Sequence, residues 1–155
     1  MSSILLLWVG RQAPGPWEEL AEGYRRRIAH FTSFSEVRVR PEEGRTADPA
    51  RARRNEADRL RQHLKANDTL VVLDECGREM SSAQLSAWLS PRLAGGRVVI
   101  VIGSDVGTDE ALRREAREVW SLSRLTLPHL LARLLVLEQL FRALDIGAGG
   151  GYHRE

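Results

Sequence analysis

Arg97-Val98-Val99-Ile100-Val101-Ile102-Gly103-Ser104-Asp105-Val106-Gly107 is the stretch that decides the fold. Five consecutive β-branched apolar residues without alternation read as a strand buried on both faces, which is the habit of parallel sheets covered by helices. Gly103 ends the run and a short polar loop follows. Two further apolar runs have the same character, Ser3–Val9 and Thr69–Asp74, whereas Phe34–Val39 alternates like a half-exposed strand. A last short strand is expected at Val119–Leu122.

Helical patterns separate these strands. Gly15-Pro16 opens a helix with proline in its first turn and Glu18 and Glu19 close behind. Trp17, Leu20, Ala21, Tyr24 and Ile28 supply its apolar face. Asp48-Pro49 starts a charged helix running to about Lys65. A turn is expected at Glu75-Cys76-Gly77, then a helix over Ala83–Leu89 capped by Ser82. Thr108 is placed to cap a helix over Asp109–Arg117. The final helix, from about His129 to Ile146, is apolar on nearly every side. So small a domain has trouble covering such a surface alone, so a partner subunit is its expected cover. The reading is α/β, a mostly parallel sheet with helices on both faces, in a single domain over residues 1–155.

Composition narrows the class. Hydrophobic content of 43% and charge of 28% are those of a globular protein, not a disordered one. The lone Cys76 cannot form an internal disulfide, which suits a reducing, cytoplasmic setting. Met1-Ser2-Ser3 carries no basic leader, and the longest apolar run is interrupted by Arg133, Glu138, Arg142 and Asp145, so no membrane span is expected. His30, His63, His129 and His153 lack ligand-spaced partners, so no metal site is expected. Residues 1–65 carry 13 Lys and Arg against 9 Asp and Glu; the remaining 90 carry 10 against 12. Lys65 is the only lysine. Arginine suits bidentate phosphate contact, but base composition of the gene explains an arginine excess equally well, so charge permits RNA without demanding it.

Ligands bind parallel sheets beyond the carboxyl ends of the strands. Three segments fall there: Leu73-Asp74-Glu75, Gly103 to Gly107, and Leu122 to Pro128. The middle one is not G-x-G-x-x-G, which argues against a dinucleotide site, and neither a P-loop nor a nucleophile elbow is present.

Ser121-Leu122-Ser123-Arg124-Leu125-Thr126-Leu127-Pro128-His129, Arg133, Glu138-Gln139-Leu140-Phe141-Arg142-Ala143 and the terminal Tyr152-His153-Arg154-Glu155 carry a specific pattern. It resembles the large subunit methyltransferase H family of the SPOUT, or α/β-knot, class. That family methylates N3 of a pseudouridine in large-subunit (23S) ribosomal RNA. The likeness extends along the whole chain, through Val9-Gly10, Trp17 to Tyr24, Leu73-Asp74, Gly77 and Ile102-Gly103.

The resemblance implies a C-terminal trefoil knot, a homodimer through the last helix, and S-adenosyl-L-methionine bound within the knot. Carried over position by position, the cofactor site is Leu73, Gly103, Ser104 and the loop Ser123, Arg124, Leu125, Thr126, Leu127 and Pro128. His153 is the implied base; Arg142 and Arg154 stabilise the developing imide anion and hold phosphates, and Tyr152 stacks on the base. Arg142 can instead pair with Glu138 one turn earlier. A structural role near the knot is expected of His129. Two departures stand out: Ser104 replaces a usual glycine, placing a Cβ in the loop, and Gly147 with Gly149–Gly151 precedes a tail expected to be mobile. Arg51, Arg53, Arg54, Arg59 and Arg61 are expected to dock RNA, one subunit's basic surface serving the other's cofactor. Two readings remain open at this point, methylation of another RNA such as transfer RNA, and a non-catalytic RNA- or nucleotide-binding module.

Overall fold

A computed structural model describes residues 2–12, 14–44 and 46–154; Glu155 lies outside the described residues. Its five strands are β1 (Ser3–Val9), β2 (Ser33–Val39), β3 (Thr69–Arg78), β4 (Arg97–Ile102) and β5 (Glu118–Trp120). They form one sheet in the order β2-β1-β4-β3-β5, with every pairing parallel. The two most continuous apolar runs, β1 and β4, sit side by side in its interior. The alternating β2 takes one edge and the three-residue β5 the other.

Alternate residues of a strand face opposite sides, and the core divides accordingly. Ile4, Leu6, Trp8, Val98, Ile100 and Ile102 pack with α1 (Gly15–Ala29), α3 (Ser82–Gly95) and α5 (His129–Gly147). Leu5, Leu7, Val9, Val99 and Val101 pack with Ala57 and Leu60 of α2 (Pro49–Arg61) and Leu112 of α4 (Glu110–Glu115). Helices therefore cover both faces, as the unbroken apolar strands require.

Several boundaries differ from expectation for identifiable reasons. The chain does not leave the sheet at Glu75-Cys76-Gly77. It bulges, so that both Leu73 and Arg78 pair with Trp120. A Cβ on Gly77 would lie 2.6 Å from the Trp120 carbonyl carbon, so glycine lets β3 rejoin β5. Ser81, not Ser82, caps α3, in a reciprocal box with Gln84. The helix runs past Ser90-Pro91 to Gly95 because Leu93 beyond the proline is buried in the core. Asp109, not Thr108, occupies the N-cap of α4; Thr108 is itself buried and accepts from Arg113. On α1, Leu20 faces outward at 54% exposure and leaves Ala21 and Ile28 as the buried contacts.

Part of the cover expected of a partner for α5 comes from the chain itself, while Leu131 and Leu134 stay only half-buried. α3 and α1 pack along it, burying Ala132, Val136, Leu137, Leu140 and Ala143 within the chain. Leu135 remains partly exposed.

Asp68 and Arg97 tie the starts of β3 and β4 together. Arg97 donates to both carboxylate oxygens, at 2.8 and 2.6 Å, and to the His63 carbonyl. Burial alone pushes the Asp68 carboxyl up, but the hydrogen bonds from Arg97 and the Lys65 amide outweigh it and hold it below the usual range. A depressed folded-state pKa contributes stability above the unfolded value, about 3.9, and loses it as pH falls through the folded value. Asp68→Asn is expected to cost about 1.5–3 kcal/mol at neutral pH, with the gap to the natural protein closing below about pH 4, measured by urea denaturation across pH.

Candidate active site

A cleft of about 1030 Å³ opens where β3 and β4 end, and all three strand-end segments reach it. β3 contributes Leu73, Asp74 and Glu75; the β4–α4 connection contributes Ile102 through Asp109; and the segment before α5 contributes Leu122, Ser123 and Leu125 to Pro128. Of the expected cofactor residues, Leu73, Gly103, Ser104, Ser123, Leu125, Thr126, Leu127 and Pro128 line the cleft. Arg124 is exposed and does not line it.

The loop after β4 is a tight turn. Gly107 donates its amide to the Ser104 carbonyl at 2.9 Å and holds φ at +81°, a conformation suited to glycine. A Cβ on Gly103 would stand 2.7 Å from Thr108 Cγ2 and 2.9 Å from the Gly107 carbonyl oxygen, so this position stays bare. Ser104 is not strained by its Cβ, because no described non-glycine residue has positive φ. Its hydroxyl instead donates to buried Glu56 at 2.7 Å. Ser123 shapes the opposite wall: its hydroxyl accepts from the Leu125 amide, and its carbonyl accepts from the Ser121 hydroxyl. Leu125, 74% exposed, stands out from this wall as uncovered apolar surface. His129 lies at the foot of the cleft with its ring stacked on Trp8, 6.3 Å between centroids.

The tail forms a second cluster, on the far half of α5. The Tyr152 amide donates to Asp145 at 3.0 Å, its hydroxyl to Glu138 at 3.1 Å, and its ring packs on Phe141. Desolvation and the bond to Glu138 hold that phenol above its ordinary range. Arg142 pairs with Glu138 at 2.5 Å, lies 4.6 Å over the Tyr152 ring, and approaches His153 Nδ1 at 3.2 Å. Arg142 thus makes the helix pair and also joins the tail. The tail expected to be mobile is docked as far as His153, while Arg154 is exposed. Arg142, Tyr152 and His153 come together, with Arg154 next to them in sequence, but none of the four lines the cleft. At 1.5 Å per residue, His129 and Arg142 stand about 20 Å apart along α5.

The five arginines of α2 separate into distinct roles. Arg59 pairs with Glu42, and Arg61 with Glu115 and Asp58. Arg53 donates to the Val106 carbonyl at 3.1 Å and borders the cleft. Arg51 and Arg54 stay exposed, Arg54 at the cleft edge. Sequence reasoning overlooked Glu56 and Arg113 of this region. Glu56 left one signal, a carboxylate between Arg53 and Leu60 on the buried stripe of a helix.

A family model described as "Predicted SPOUT methyltransferase" matches residues 2–153. The chain belongs to the SPOUT methyltransferase family. Among its relatives, a ribosomal RNA large subunit methyltransferase H from Gloeobacter violaceus is 38% identical over 150 residues, covering 97% of each chain. One of the same description from Anaeromyxobacter is 38% identical over 147 residues, covering 94% of this chain and 95% of its own. A probable methyltransferase from Bordetella pertussis shares the fold, with a TM-score of 0.56 at 20% identity over 92% of this chain and 96% of that one. As a SPOUT methyltransferase this protein is an enzyme, which sets aside the non-catalytic binding module.

Proposed function

We propose that this protein, as a single SPOUT domain with the C-terminal knot of its class, transfers a methyl group from S-adenosyl-L-methionine to N3 of a pseudouridine in large-subunit ribosomal RNA. The observation that carries the reading is the convergence of all three strand-end segments on one cleft, in a chain aligned nearly end to end with relatives described as ribosomal RNA large subunit methyltransferase H.

The cleft suits the cofactor. Its volume is at the upper end of small-molecule sites, and apolar Leu73, Leu125 and Leu127 stand beside polar loop backbone. Leu73, Gly103, Ser104 and the Ser123–Pro128 segment are the residues to hold it, with Arg124 reserved for RNA at the rim. The cofactor supplies an electrophilic methyl group on a sulfonium. The protein's own share is positioning, exclusion of water, and management of the imide proton. His153 takes that proton, Arg142 and Arg154 stabilise the resulting anion, and Tyr152 offers a ring to the base.

A homodimer follows from the separation of the two clusters. A docked tail about 20 Å along the helix from its own cleft is best used by the cleft of a second copy. Mixing His153→Ala subunits with subunits carrying a cleft-blocking Gly103→Val tests this. Sites shared between subunits regain activity in the mixed dimer, whereas sites confined to one subunit stay dead.

Arg51 and Arg54 are the arginines left to meet phosphate. Arg51→Glu with Arg54→Glu is expected to weaken RNA binding and flatten its salt dependence by about two units of slope, while cofactor affinity changes little. Filter binding across a salt series measures both. For the substrate itself, labelled methyl transfer to large subunits should far exceed transfer to tRNA; the reverse would favour another RNA target.

A further inference from the structure

We propose that Glu56 is a positioning residue that holds the Gly103–Gly107 turn in its cofactor-binding shape, with Arg53 as its companion one helical turn away. The role rests on the reading of the cleft as the cofactor site. Glu56 is 2% exposed and does not line the cleft, so it acts only through what it touches. One carboxylate oxygen accepts from the Ser104 hydroxyl at 2.7 Å, and the other from the Glu42 amide at 2.9 Å. Arg53, three residues earlier on the same face of α2, donates to the Val106 carbonyl at 3.1 Å.

Within the turn the Gly107 amide donates to the Ser104 carbonyl, and glycines flank it at both ends. A turn so built can swing as a unit about Gly103 unless something outside it holds it. α2 grips it twice, at Ser104 and at Val106, and α2 is seated by Ala57 and Leu60 against the sheet. Without the grip, the turn must be ordered at each binding event, and that ordering entropy is subtracted from affinity. Because Arg53 borders the cleft, Glu56 is the cleaner probe.

The test is calorimetric titration of S-adenosyl-L-methionine into the purified protein, its Glu56→Ala, Glu56→Gln, Ser104→Ala and Glu56→Ala/Ser104→Ala variants, with steady-state kinetics on large subunits. Glu56→Ala should raise Kd and the cofactor KM about tenfold, with kcat little changed because Glu56 touches no reacting atom, and Ser104→Ala should raise Kd by about as much. The double variant should be no weaker than the worse single one, since both remove one contact. Glu56→Gln should recover most of the affinity, because an amide can accept from the Glu42 amide and donate to the Ser104 oxygen. Should Glu56→Ala fail to fold, Glu56→Asp takes its place: it keeps the charge, stays outside the cleft and shortens the reach to Ser104, and natural affinity in it would likewise overturn the role. Natural affinity in Ser104→Ala, or additive losses in the double variant, overturns the positioning role and leaves the cofactor reading intact. No binding by the natural protein removes both.

Discussion

Cutting the chain after Gly151 abolishes methyl transfer on ribosomes while fold and cofactor binding survive. The described residues removed are exposed or half-buried, and their bonds run to Glu138, Asp145 and Arg142 of α5. Surface contacts of this kind contribute little to stability, so the melting temperature should move by only a few degrees. On the proposed reading the chemistry, in contrast, loses its base. Positioned general bases are worth about 10²–10⁴-fold, and the anion-stabilising Arg154 goes with His153. His153→Ala alone should reproduce most of the loss near neutral pH. Its deficit should be greatest at low pH and shrink as rising pH ionises the imide without help. Full activity in the truncated enzyme would move the chemistry to Arg142 and leave the tail a bystander.

Arg133 is the position where a single substitution should cost the most stability. Its side chain is 4% exposed, donates to both oxygens of Glu36 at 2.9 and 2.5 Å and to Glu18 at 3.1 Å, and lies 4.6 Å over the Trp8 ring. Burial opposes its charge, yet the hydrogen bonds it donates to Glu36 and Glu18 more than offset this and raise its pKa. Arg133→Leu leaves Glu36, only 7% exposed, with Arg25 as its remaining partner. Breaking a buried pair from one side costs about 3–5 kcal/mol, which at this chain length is roughly 10 °C or more in melting temperature. Arg133→Leu/Glu36→Leu should recover a large part of it, because no buried charge is then left uncompensated. Calorimetric melting of the two variants separates the cost of a buried carboxylate left with Arg25 alone from the worth of the pair.

The sheet was legible where side chains on both faces of a strand are apolar. β4 matches its expected bounds at both ends, and β1 likewise, because Val98–Ile102 and Ile4–Val9 admit no other placement. Legibility failed where a tertiary contact overrode a local signal. Ser90-Pro91 reads as a helix stop, yet α3 continues because Leu93 has a buried place to fill. Gly77 reads as a turn, but it is bare so that β3 can pass close to Trp120. The cleft was visible through the rule that ligands gather at strand ends. Glu56 and Arg53 were not, since on α2 they look like any charged pair until the fold sets Ser104 and Val106 against them.

Mass spectrometry of nucleosides from large subunits incubated with the purified enzyme and S-adenosyl-L-methionine tests the central claim most directly. N3-methylpseudouridine should appear at one position of the large-subunit RNA with the natural protein and fall sharply with His153→Ala. Methyl groups found only in transfer RNA, or on a carbon or ribose oxygen of the ribosomal RNA, would contradict it.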